Sequence, residues 1–141
     1  MNYTDENRGS IQLRERARQL NDFHDIKYGA ITPTDIDGYI EYHNEAFIFY
    51  EVKYRDAQLP RGQEIALVRL VDACWKAGYK AALIICEHNV DDPETDVPAN
   101  MMKVRCVYLG PDYGYCAGNI KNRTPKQMTD GFLKWNPPAA S

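Results

Sequence analysis

The chain has 141 residues, 44% of them hydrophobic and 26% charged, with a formal net charge of −3. That length suits one compact domain, and the composition is that of a globular protein, not a disordered one. The acidic balance argues against nucleic-acid binding through overall charge and leaves only local basic patches to serve it.

The opening MNYTDENRGS is polar and lacks the apolar run of a signal peptide. No segment approaches the ~20 apolar residues that span a bilayer, so a cytoplasmic protein without membrane contact is the expectation. Cys74, Cys86, Cys106 and Cys116 lie far apart with no CxxC pair. They read as reduced thiols, not as a zinc site or a disulfide framework.

Residues 10–23, SIQLRERARQLNDF, predict a first helix, with Ser10 as cap and Ile11, Leu13, Ala17, Leu20 and Phe23 as its apolar stripe. Residues 26–31 are a candidate short strand before Pro33. DIDGYIEY (35–42) and AFIFYEVKY (46–54) alternate as strands, joined by His43–Glu45 as a hairpin loop. After Pro60-Arg61-Gly62, residues 63–77 predict a helix through Leu67, Leu70, Val71 and Cys74, with Gly78 as its stop. AALIICE (81–87) reads as a buried strand, and the strand–helix–strand order implies that it lies parallel to 46–54. Glu87–Asp96 carries five carboxylates and no Lys or Arg, and reads as a solvated loop. A further strand over 103–109 and a short helix near 124–135, with Pro125 in its first turn, complete the chain. The expected architecture is α/β, a mixed sheet flanked by helices, in one domain over 1–141 with its core over about residues 10–110.

The hairpin concentrates chemistry on one face. Alternation points Glu51 and Lys53 the same way and Tyr50, Val52 and Tyr54 the other. If the loop is the three residues His43–Glu45, Tyr42 pairs with Ala46, and counting back sets Asp37 opposite Glu51 and Asp35 opposite Lys53. Cross-strand neighbours have Cβ atoms roughly 4.5–5.5 Å apart, and like charges so placed destabilise a sheet. A divalent cation reverses that sign, and Mg²⁺ binds through one or two carboxylates. The competing reading makes these residues a solvated face with ordinary cross-strand ion pairs. A loop one residue shorter would put the acids on opposite faces.

TDIDGYIEY, FIFYEVKY and the following QEIALVRLVDA together resemble the core of the PD-(D/E)XK nuclease superfamily, which includes restriction endonucleases, Holliday-junction resolvases and small phage nucleases. Asp37 precedes Glu51 by fourteen residues, and Lys53 completes E-x-K. The resemblance covers about residues 10–88 and implies a restriction-endonuclease-like fold and hydrolysis of DNA phosphodiesters with Mg²⁺, for which Mn²⁺ can substitute. It implies Asp37 and Glu51 as metal-binding carboxylates, with the Val52 carbonyl a further ligand and Lys53 assisting the attacking water. Asp35 is the second candidate aspartate, and pairing geometry favours Asp37. Gln63 matches a polar position near the scissile phosphate, and Glu15 is a candidate accessory acid. Relatives that cut both strands pair their active sites, so a homodimer is one expectation. The alternative function is a catalytically silent nucleic-acid-binding or protein-interaction module with the same fold, which the acidic net charge favours.

Overall fold

Apolar residues that alternate along a strand can be buried on both sides only if something covers each face of the sheet. In AFIFYEVKY and KAALIICEH most residues of both phases are apolar, so two layers of cover are required. The computed structural model, which describes residues 19–138 except 117 and 121, shows how they are supplied. The chain divides into two compact units, Met1–Pro33 and Thr34–Ser141.

The second unit is α/β. Its five-stranded mixed sheet runs in sequence order: β1 (Gly38–Tyr42), β2 (Ala46–Tyr54), β3 (Lys80–His88), β4 (Lys103–Tyr108) and β5 (Tyr115–Cys116). Only β2 and β3 are parallel; every other neighbouring pair is antiparallel. Helix α1 (Arg61–Lys76) makes the crossover between the parallel strands, and α2 (Pro125–Lys134) closes the chain. A single turn of 3-10 helix, Ala99–Met101, precedes β4.

The two phases of the strands feed two cores. Phe49, Leu83 and Ile85 pack with Leu67 and Val71 of α1. Ile48, Ile84, Cys86, Val104 and Val107 pack with Met128 and Phe132 of α2. The helices therefore lie on opposite faces of the sheet. Both helix ends are specified locally. Gly78, at φ +93°, stops α1: its N–H donates to Trp75 O at 3.0 Å and the Tyr79 N–H to Cys74 O at 2.9 Å, the paired bonds of a Schellman ending. Thr124 and Gln127 cap α2 reciprocally, with Pro125 in its first turn. The Lys80 ammonium donates to the carbonyls of Phe132, Leu133 and Trp135 at 2.9, 3.2 and 2.8 Å, a cation placed at the negative end of the helix.

Three expectations need correction. The helix over 10–23 falls mostly on residues outside those described, and the described residues 19–23 are not helical. Residues 26–31 form no strand. Gly29, at φ +65°, turns the chain so sharply that Tyr28 and Ile31 exchange both backbone hydrogen bonds, at 2.9 and 3.0 Å. The strand expected over 35–42 starts only at Gly38, for a reason that belongs to the site below. The four cysteines are free thiols, and no helix among the described residues is long and apolar enough to cross a membrane.

Trp75 ties α1 to the sheet, its indole N–H donating to Ala81 O at 2.9 Å. The ring lies against Gly110, whose φ of +116° disfavours any side chain and where a Cβ would collide with the indole. Gly110→Ala is therefore expected to lower the unfolding free energy by about 1–3 kcal/mol. Urea denaturation checks this as an earlier midpoint with an unchanged slope. An unmoved midpoint would mean that Trp75 is free to step aside.

Candidate active site

Residues 47, 49 and 51 share one face of β2, and the first two are phenylalanines in or against the α1-side core. Glu51 continues that apolar phase and is as buried as its neighbours, with 1% of its surface exposed. Its strand partner across β3 is Ile85. One carboxylate oxygen, Oε2, accepts from Gln63 Nε2 at 3.1 Å. The other, Oε1, is buried without any hydrogen-bond partner. An ionised carboxylate in such a place forgoes water and receives little in return. Burial first, and then repulsion from the neighbouring Asp37 carboxylate, push the Glu51 pKa up from 4.5 to about 7, against the Asp37 backbone N–H and, after it, Lys53, which both favour the ionised form.

The hairpin has the register that a three-residue loop requires. Tyr42 pairs with Ala46 and the ladder runs back to Gly38 opposite Tyr50. His43 and Asn44 both take positive φ in the loop, 49° and 57°, conformations that asparagine tolerates well. Were the ladder to continue, Val52 would face Ile36. Instead the Asp37 Oδ2 accepts from the Val52 N–H at 2.8 Å. A side-chain acceptor thus replaces a main-chain one and the strand ends. This capping is why Asp35 and Asp37 stand outside β1, and it also holds the Asp37 carboxylate beside Glu51.

Asp35 reaches the site through its backbone. Its carbonyl accepts from Gln63 Nε2 at 3.2 Å, the same nitrogen that binds Glu51. Gln63, in the first turn of α1, therefore joins the segment before β1 to the buried acid of β2. Lys53 Nζ lies 4.0 Å from Glu51 Oε2, with 20% of its side chain exposed. The Val52 N–H points to the β1 edge, and extended geometry directs its carbonyl to that same edge, past the end of the β1 ladder. Glu15 lies outside the described residues.

The donor set suits a hard divalent cation. Two carboxylates, one with an orphaned buried oxygen, and a backbone carbonyl are oxygen ligands of the kind Mg²⁺ accepts while keeping several waters. Among the described residues, no group of three or more His, Cys, Asp or Glu assembles into a metal cage.

One feature beside the site carries no sequence signal. On the α2 side, a cavity of about 330 Å³ opens next to Asp37, walled by Gly38, Tyr50, Val52, Met102 and Thr129. Thr129 donates its hydroxyl proton to Pro125 O at 2.7 Å, so the Tyr50 hydroxyl, 2.6 Å away, must donate to Thr129. That bond joins residues 79 positions apart, and only the tertiary fold brings them together.

Comparison of the chain with models of known protein families, with curated proteins and with solved structures finds no match. The functional reading therefore rests on the chain's own chemistry. Because the folded protein holds the Glu51 proton more tightly than the unfolded chain, its stabilising contribution is full below pH 4.5 and is lost as pH rises through about 7. In the presence of a chelator, unfolding free energy is expected to fall by roughly 3 kcal/mol over that window. Glu51→Gln should flatten this slope in urea titrations at stepped pH, and a wild-type slope retained in the variant would assign the titration to another group.

Proposed function

We propose that the chain is a Mg²⁺-dependent nuclease that hydrolyses DNA phosphodiester bonds, with a restriction-endonuclease-like arrangement of the PD-(D/E)XK type. The observation that carries this reading is the buried Glu51 carboxylate, one oxygen unpaired, beside Asp37 and Lys53. A carboxylate so placed weakens the fold when ionised, and a cation shared with Asp37 relieves the penalty.

Asp37, Glu51 and the Val52 carbonyl would hold the ion, Mg²⁺ or in its place Mn²⁺. When bound, the cation supplies Lewis-acid polarisation of the phosphodiester and acidifies a water molecule. The protein's own groups do the rest. Gln63 fixes Glu51 Oε2, so that the acid keeps one orientation while Oε1 stays unpaired. Asp37 is locked by the Val52 N–H and presents its remaining oxygen. Lys53, close to Glu51 but partly open to solvent, places a positive charge where a phosphate oxygen gains negative charge during attack, and a proton donor or acceptor beside the incoming water. Asp35 supports the assembly through its carbonyl bond to Gln63.

The acidic net charge of −3 favours a second reading, a module that binds nucleic acid or protein without cutting. The two readings diverge in one experiment. Purified protein incubated with plasmid, single-stranded and branched DNA is expected to cut in Mg²⁺ or Mn²⁺ and to stop on chelation. Lys53→Ala should lower the cleavage rate roughly 10²–10⁴-fold while leaving the circular dichroism spectrum unchanged. Binding without metal-dependent cleavage on all three substrates would decide for the silent module.

A further inference from the structure

The cavity beside Asp37 lies against the sheet face opposite to that of Glu51, yet the two share one residue. Asp37 lines the cavity, and its carboxylate is bound by the N–H of Val52, the residue that follows Glu51. That bond holds the aspartate at the sheet edge. A molecule lying across that edge would touch the acid pair at one end and the cavity at the other.

The lining has a definite chemistry. Ile40, Val52, Met102 and the Tyr50 ring give it apolar walls. The two hydroxyls within it are already engaged, Tyr50 with Thr129 and Thr129 with Pro125 O. This chain of bonds fixes the Tyr50 ring as a rigid plane. At the rim, Lys126 carries a side chain that is 80% exposed and paired with Asp130 at 2.6 Å. Apolar walls, one immobile aromatic face and a cation at the mouth, all next to a phosphate-directed acid pair, match a nucleotide: a flat heterocycle joined to an anion. The volume, about 330 Å³, is at the small end of ligand pockets and takes one such ring system.

The geometry points to a nucleobase pocket, in which one base of the substrate strand, turned out of its stack, enters this cavity while its phosphate lies at the Asp37–Glu51 pair. This inference rests on the nuclease reading and narrows its substrate. Unstacking a base costs a few kcal/mol in a duplex and least in a single strand or at an unpaired position, so single-stranded and unpaired DNA are the preferred substrates. Stacking on an aromatic face tolerates every base. Because the hydroxyls of the lining are committed to the protein, base identity matters little.

The test uses the whole chain in millimolar Mg²⁺, because without a cation the acid pair would repel the phosphate, and a nucleoside monophosphate has no phosphodiester to cleave. Methyl signals of Ile40, Val52 and Met102 are followed by NMR during titration with a deoxynucleoside 5′-monophosphate and, separately, with deoxyribose 5′-phosphate. Saturable shifts at these methyls with the nucleotide alone, lost in Ala99→Trp, are expected; Ala99 lies at the cavity wall and is exposed, so the substitution fills the mouth without entering the core. Equal shifts with the base-free sugar phosphate, or no saturation, overturn the pocket. A parallel Mg²⁺ cleavage assay separates the two levels of the argument. Absent shifts in a protein that cuts DNA overturn the pocket alone, whereas saturable shifts in a protein that cuts nothing overturn its assignment to a nuclease substrate.

Discussion

Glu51 Oε1 is buried without a hydrogen-bond partner, in the strand phase that Phe47 and Phe49 make apolar. A leucine at this position would continue the run of Phe47 and Phe49 and pack against Ile85. The acid instead adds a penalty of the order of 1–3 kcal/mol or more to a fold whose net stability is itself small. Three neighbours bear on this penalty without cancelling it. Gln63 satisfies one oxygen, Lys53 attracts at 4.0 Å, and Asp37 repels. A residue set that served stability alone would not bring a second carboxylate to the first.

The sheet makes this placement possible. Parallel pairing of β2 with β3 buries Glu51 on its α1 side, and α1 follows β2 closely enough for its first turn to deliver Gln63. The early end of β1 leaves Val52 with an N–H for Asp37 to claim. Each of these is a backbone consequence of a few residues: the three-residue loop, the Pro60 break and the aspartate that replaces a ladder carbonyl. The α2-side cavity lies beside Asp37 at that same strand end.

Much of this could be read from residue order. The alternation of AFIFYEVKY, the helical spacing of Leu67 and Val71 and the apolar run of β3 each state their element, because periodicity reports burial directly. The hairpin register followed from loop length. What escaped was set by interactions between distant or competing groups. Nothing local distinguishes an aspartate that continues a strand from one that ends it, so β1 begins at Gly38 and not at Asp35. The sequence leaves a solvated face open for Glu51, and only the helix placed above it shows the acid to be buried. The Tyr50–Thr129 bond and the cavity it shapes depend on the packing of α2, which residue spacing does not encode.

The central proposal is that Asp37 and Glu51 bind a cation together. Its most direct test is the side-chain carboxyl carbon of Glu51, followed by ¹³C NMR across pH with and without millimolar Mg²⁺. Without metal the signal is predicted to titrate near 7. With Mg²⁺ the midpoint should fall by a unit or more as the ion competes with the proton for the unpaired oxygen. A midpoint that stays near 7 at saturating Mg²⁺ and Mn²⁺ would contradict the metal site and the nuclease reading built on it.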